Sequence, residues 1–201
     1  MAGWALAFLG IYFLLAFGLR SMVQKARTGS AGFHGISGKP GSLEWLGGVL
    51  FVVALALGVS APILDLARVL DPVGALDDEL VQAIGGGLFF GGLLTTLLAQ
   101  FAMGKSWRIG VDPSERTELV TSGPFEYVRN PIFAAMIPAS LGIALLVPNV
   151  VALAGFVALI IALEIQTRKL EEPYLLATHG EAYANYAAHA GRFVPLIGRL
   201  R

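Results

Sequence analysis

Residues 132–165 read IFAAMIPASLGIALLVPNVVALAGFVALIIALEI, and this stretch decides the fold. Pro148-Asn149 interrupts it near the middle and leaves two short apolar runs, 132–147 and 150–165. So brief a break with that turn chemistry predicts a tight helical hairpin. Pro138 is a candidate kink in the first arm. A hairpin returns its flanks to one end. The polar stretches on either side, 104–131 and 164–195, are therefore predicted to meet. Charges and turn backbone beside hydrocarbon-length runs are costly unless something satisfies them, so the meeting point is predicted to be a pocket at the membrane–water boundary.

Composition agrees with a membrane setting. The chain has 201 residues, 56% of them hydrophobic and 14% charged, with a mean hydropathy of +0.71. A soluble domain carries roughly 25% charged residues. Three earlier runs, 3–19, 46–64 and 81–103, bring the number of candidate spans to five, judged against the roughly 20 apolar residues a crossing requires. The predicted fold is an all-α, polytopic membrane helix bundle of about five transmembrane helices, with a cytoplasmic cofactor pocket and a C-terminal helix. It is read as a single integral membrane domain, 1–201, with three N-terminal helices in 1–103 and a catalytic region in 104–201. The first run has no basic segment before it and no small-residue cleavage site after it, so it is read as a retained helix. Gly85-Gly86-Gly87 and Gly91-Gly92 mark places where helices can approach closely.

Lys and Arg set the orientation. Arg20, Lys25, Arg27 and Lys39 lie between the first and second spans, and Lys105, Arg108, Arg116 and Arg129 between the third and fourth. Arg168, Lys169, Arg192, Arg199 and Arg201 follow the fifth. The other side holds Arg68 among Asp65, Asp71, Asp77, Asp78 and Glu79. The N-terminus is expected outside and the C-terminus in the cytoplasm.

The absence of cysteine removes disulfide and thiolate chemistry, and His34, His179 and His189 have no metal-ligand spacing. No metal is expected. Zero net charge gives no basic surface for nucleic acid.

Chemistry is concentrated in two places. Leu119-Val120-Thr121-Ser122-Gly123-Pro124-Phe125-Glu126-Tyr127-Val128-Arg129-Asn130-Pro131 supplies a Gly-Pro turn and a helix start at Pro131. Amides at such a start favour a carboxylate. Arg129 is placed either to orient that carboxylate or to snorkel to the interface. Downstream, Glu164, Arg168 and Glu171 fall at i, i+4 and i+7 on one helical face, with Glu172 one position round. This pattern fits a guanidinium and a carboxylate presented to one cavity, or a salt-bridged helix end. Glu164 lies within an apolar span, where an unpaired charge is expensive. Tyr183, Tyr186, Trp4, Trp45 and Trp107 read as interface-belt residues, and His179 and His189 as surface residues. The Gly-, Ser- and Thr-rich stretch 21–42 reads as a solvated connector, with a lid as the alternative.

These residues resemble the isoprenylcysteine carboxyl methyltransferase family, within the wider group that includes membrane phospholipid methyltransferases. Its pattern runs approximately L-V-T-x-G-P-Y-x-x-V-R-H-P-x-Y, a helical hairpin, E-E-x-x-L-x-x-x-F-G-x-x-Y-x-x-Y and a late R-x-x-P. Here Leu119 to Phe133 matches the first element. Glu171-Glu172-Pro173-Tyr174-Leu175, Gly180, Tyr183, Tyr186 and Arg192-Phe193-Val194-Pro195 match the rest. Gly104-Lys105-Ser106-Trp107-Arg108-Ile109-Gly110 also fits bacterial members.

The resemblance implies methyl transfer from S-adenosyl-L-methionine to a lipid-like or hydrophobic acceptor bearing a carboxylate, amine or thiol. By that analogy Leu119, Val120, Thr121, Gly123 and Pro124 line the cofactor with their backbone, together with Tyr127. Arg129, Asn130, Pro131 and Phe133 shape its methionine end, and Glu172 meets its ammonium. Arg168 and Glu171 face the acceptor, Arg168 positioning a carboxylate and Glu171 serving as base toward an amine or thiol. Two departures stand out. Asn130 replaces the family's histidine and cannot titrate near neutrality. Phe125 and Phe133 replace tyrosines, although the Phe133 ring still offers a face to a sulfonium. Rival readings are a membrane sterol-type, NADPH-dependent reductase with a related Arg-His-Pro element, and a non-catalytic membrane scaffold of the same fold. The enzymatic reading fails if Tyr127 and Glu172 line separate surfaces and the two stretches share no hollow.

Overall fold

A computed structural model describes residues 1–33, 35–109 and 118–200. His34, Gly110, Arg116 and Arg201, named above, lie outside the described residues. The architecture is a helix bundle. Four helices are long and apolar enough to cross a membrane by length and composition: α1 (Ala2–Thr28), α2 (Leu43–Leu66), α3 (Glu79–Met103, running into a 3-10 turn) and α5 (Val150–His179). Helix α4 (Pro131–Leu146) is apolar but shorter, and a C-terminal helix α6 spans Glu181–His189. Five crossing-length runs were expected. With 16 residues, α4 extends about 24 Å at 1.5 Å per residue, less than the hydrocarbon thickness of about 30 Å. The described residues contain no strand, only two isolated bridges, Phe33 with Ile109 and Val128 with Gly191.

The helix ends follow from local chemistry. Ser42 caps α2 by accepting from Trp45 N, and Asp78 caps α3 by accepting from Leu80 N and Val81 N. Asn149 forms the hairpin turn. Its Oδ1 accepts from Val151 N and Ala152 N at 3.1 and 3.0 Å, while its Nδ2 donates to Ala61 O at 3.1 Å. One fully buried side chain thus starts α5 and ties the turn to α2. Helix α4 is continuous through Pro138.

Small residues set the packing. Gly85, Gly92 and Gly142 place α3 directly against α4, and a Cβ on Gly142 would stand 2.5 Å from Gly85 O. Gly86, Gly87 and Gly91, which the sequence grouped with them, face open space. Gly155 does the same work between α5 and α2, near Ala54 O and Gly58 N.

Helices α1 and α3 run parallel and are joined by polar contacts at a constant offset. Tyr12 Oη bonds Thr96 Oγ1 at 3.0 Å, Gln100 Nε2 donates to Ala16 O at 2.8 Å, and Arg20 Nη2 donates to Gly104 O. Buried polar groups in an apolar bundle need such partners. The ladder brings the C-terminal end of α1 beside the 3-10 turn and Trp107, over whose ring Arg20 stacks at 4.7 Å. Trp107 is therefore buried rather than an interface anchor.

Candidate active site

The hairpin brings the two polar stretches together, and the junction is a buried ion cluster. Arg129 and Glu172 meet at 2.5 Å. Glu172 also receives Arg192, whose Nε donates to Oε1 at 2.8 Å and whose Nη2 donates to Oε2 at 3.0 Å. Arg129 spends its remaining Nη hydrogens on backbone: Ala187 O at 3.0 Å, Ala190 O at 2.7 Å and Gly198 O at 3.0 Å. Residues 128–130 run beside 191–192, with Arg129 N donating to Gly191 O and Asn130 N to Arg192 O. Gly191 is obligatory there, since a Cβ would lie 1.9 Å from Val194 O. Tyr186 Oη donates to Phe125 O at 2.6 Å and pins the Gly123–Glu126 turn to α6.

Beside this cluster lies a cavity of about 330 Å³, within the range of roughly 300–1,000 Å³ usual for small-molecule sites. Both polar stretches line it. Leu119, Val120, Phe125, Arg129, Asn130, Pro131 and Phe133 come from the first; Glu171, Tyr174, Tyr183 and Tyr186 come from the second. Trp107 and Arg108 close one side, and Phe33, Gly35 and Ile36 cover it. Within the stretch 21–42 the chain is helical to Thr28, and Phe33, Gly35 and Ile36 line the cavity. The far wall is apolar and sits mid-helix, at Phe51, Leu55 and Met136.

Several expected site residues stand elsewhere. Thr121, Gly123, Pro124 and Tyr127 are not on the wall, and Tyr127 is 64% exposed. Glu172 is also off the wall, closed in by two arginines. The two stretches do share a hollow, but Tyr127 and Glu172 do not line it. Arg168 is exposed and paired with Glu164, away from the cavity. The physical reason lies in α5, whose Gln166–Glu171 segment is π-helical. An i→i+5 turn breaks the 3.6-residue phase. The single face expected for Glu164, Arg168 and Glu171 therefore splits: Arg168 stays with Glu164, and Glu171 turns inward.

Other wall residues were not singled out from the sequence. Tyr183 and Tyr186, read as belt residues, are in the wall, and Tyr183 is 1% exposed. Burial raises the Tyr183 phenol to about 12 and raises that of Tyr186 as well, so both are neutral hydrogen-bonding groups at physiological pH. Tyr12, Thr96 and Gln100 line the apolar end. Their signal was present in the sequence as polar side chains inside apolar runs, Thr96 and Gln100 four apart.

With this geometry in place, comparison with known proteins is direct. The family model for phospholipid methyltransferase matches residues 80–182, just over half the chain. The chain belongs to the phospholipid methyltransferase family, a membrane methyltransferase with a multi-pass helical fold. A solved structure, that of the eukaryotic intramembrane Ras methyltransferase isoprenylcysteine carboxyl methyltransferase, is similar over 97% of this chain and 76% of that one. The TM-score is 0.61 at 19% sequence identity, a likeness of fold. No curated protein matches this chain.

Proposed function

We propose that the protein transfers a methyl group from S-adenosyl-L-methionine to a lipid-like or hydrophobic acceptor at the cytoplasmic face of the membrane. The observation that carries this is a single cavity with a polar, aromatic wall from the family-matched region and an apolar wall in mid-bundle. Such a hollow suits a charged, water-soluble donor at one end and a hydrocarbon at the other. A second apolar hollow of about 60 Å³ adjoins it at Tyr12, Leu55 and Met136, which adds room for hydrocarbon. The fold neighbour's name points to isoprenylcysteine as one acceptor chemistry, and the family description points to phospholipids.

The residues present fit the donor. Phe125 and Phe133 line the cavity, and aromatic rings there can meet a sulfonium by cation–π attraction. Leu119 and Val120 offer backbone, Asn130 can donate and accept, and Arg108 and Glu171 supply a guanidinium and a carboxyl group. When bound, the donor supplies an electrophilic methyl group on sulfur. The chain's own work is to align the acceptor with that methyl and to exclude water, the source of most of the gain in such a displacement. An ionised carboxylate attacks as it stands, whereas an amine or thiol first gives up a proton. Arg20, Lys105 and Arg168 lie toward the polar end, and the excess of Lys and Arg there supports a cytoplasmic C-terminus.

Two measurements test the reading. Isothermal titration of the purified protein should give binding of S-adenosylhomocysteine and none of NADPH. Incubation with methyl-labelled donor and membrane lipid extract should then move label into an extractable lipid, identified by mass. Binding of NADPH alone would support the reductase reading, and binding of neither the scaffold.

A further inference from the structure

A buried polar atom with nothing to bond is costly to a fold, so one that lines a cavity points to a ligand. Among the described residues of the cavity wall, two side chains carry such an atom: Arg129 at Nε and Gln100 at Oε1. The first belongs to a guanidinium already held in the ion cluster. The second is an acceptor on an apolar helix, in a residue only 3% exposed. Turning the amide over does not relieve it. Gln100 Nε2 donates to Ala16 O at 2.8 Å, and the reverse setting would place Oε1 against that carbonyl.

Position adds to this. A Cβ on Gly92 would meet Ala135 and Ala139, and one on Gly85 would meet Gly142 and Leu145, so α3 and α4 are antiparallel in a fixed register. Continued along α3, that register puts Thr96 level with Phe133 and Gln100 level with the start of α4. Gln100 therefore stands where the polar, aromatic wall gives way to the apolar one. One turn away on the same helix, Thr96 Oγ1 shares a hydrogen bond of 3.0 Å with Tyr12 Oη, and both residues are in the wall. Two hydroxyls bring two hydrogens, and this bond uses one. The spot thus joins an acceptor that lacks a donor to a hydroxyl hydrogen that the pair leaves over. A carboxylate has no hydrogen to give Oε1, and an ammonium would be stripped of water among neutral groups. A neutral hydroxyl matches both halves.

We propose that Gln100 and the Tyr12–Thr96 pair form a subsite for a neutral hydroxyl on a hydrophobic molecule, the hydroxyl donating to Gln100 Oε1 and accepting from the pair. The inference rests on the reading of this cavity as the seat of a lipid-like acceptor. It adds a requirement to that acceptor, a hydroxyl where the head meets the hydrocarbon. It also gives Gln100 two tasks, one for each end of its amide: Nε2 joins α3 to α1, and Oε1 reads the ligand.

Two probes that differ by one hydrogen-bond donor test this. Dodecanol and dodecyl methyl ether share the chain and an accepting oxygen, and the alcohol alone has a hydrogen to give. Each is titrated into the full chain in detergent, and the ligand-induced rise in melting temperature gives an apparent dissociation constant per mole fraction in the micelle. Wild type should prefer the alcohol by about 10-fold, as expected when one hydrogen bond meets a buried, unpartnered acceptor. Gln100→Met keeps the shape without the oxygen and should bring the two probes within about twofold of each other. Should that variant fail to fold, Gln100→Asn, which withdraws the amide by one methylene, should lower the preference to below about threefold. A merely structural Gln100 would move both probes together and leave their ratio unchanged in the variants, which overturns the subsite. Equal wild-type affinity for the two probes overturns it as well, and so does failure of wild type to bind either. S-adenosylhomocysteine titrated into the same preparation keeps the two readings apart. Its binding without alcohol preference overturns the subsite and leaves the donor reading standing, whereas alcohol preference without its binding supports the subsite and overturns the donor reading.

Discussion

Glu171 and Glu172 are adjacent in the chain and lie in opposite settings. Glu172 is buried between Arg129 and Arg192 with every oxygen engaged, whereas Glu171 lines a cavity together with Arg108 and Tyr174. One carboxylate joins two chain segments and the other lines a cavity. Charge alone does not distinguish them; the turn of helix that precedes them does. The comparison teaches that side chains from a matched pair of motifs can join two chain segments while their neighbours line the hollow beside that junction.

The largest expected effect breaks the closed half of this pair. Glu172→Gln keeps the shape but leaves two buried guanidiniums uncompensated, which should lower stability by about 3–5 kcal/mol. Thermal melting in detergent checks this, together with faster proteolysis of residues 191–200, which Arg129 and Arg192 hold against the bundle. Normal melting with lost S-adenosylhomocysteine binding would instead return Glu172 to the ammonium.

Much of the frame was legible from residue order. The hairpin turn was announced by Pro148-Asn149, and Asn149 caps as that residue type does. Pro131 starts α4, as its fixed φ favours. The junction of the two polar stretches followed from the hairpin between them. The interior of the junction was not legible, because it depends on phase and competition. The π-helical segment Gln166–Glu171 carries no residue signal that separates it from ordinary helix, and it decides which of Arg168 and Glu171 faces the cavity. Arg129 could be read as ligand-facing only while its competitors were unseen. Three of them are backbone carbonyls, at Ala187, Ala190 and Gly198, which no side-chain pattern reveals. Trp107 was hidden for a similar reason, since Arg20 stacks over its ring from another helix.

A smaller effect probes the boundary between the two settings. Tyr183 lies in the cavity wall close to Arg129, and burial raises its phenol to about 12, against about 10 in an unfolded chain. Below pH 10 both states hold the proton, so the contribution to stability is whole. Between about 10 and 12 the unfolded chain releases the proton while the fold retains it, and stability falls as pH rises, by at most about 1.4 kcal/mol per unit. Tyr183→Phe should flatten this part of the alkaline limb in melts taken from pH 8 to 11. Tyr186, also raised by burial, should sustain the remainder. An unaltered limb would mean that the Tyr183 hydroxyl ionises in the folded protein as easily as in the unfolded one.

Arg168→Ala carries the smallest expected change and bears most directly on the comparison. Spacing put Arg168 and Glu171 on one helical face, and the family resemblance implied that they face the acceptor. In the folded chain its side chain is 53% exposed and paired with Glu164, whose own side chain is 37% exposed. Exposed pairs of this kind contribute about 0.2–1 kcal/mol, so melting should shift little. Removing a guanidinium that does not reach the cavity should leave methyl transfer within about twofold. Glu171→Gln measured beside it should lose donor affinity, because that carboxyl lines the cavity. Retained stability with abolished transfer in Arg168→Ala, at unchanged S-adenosylhomocysteine affinity, would show that the helix end turns inward when an acceptor is present. The comparison would then need a third setting, in which a charge lies outside the hollow at rest and inside it during turnover.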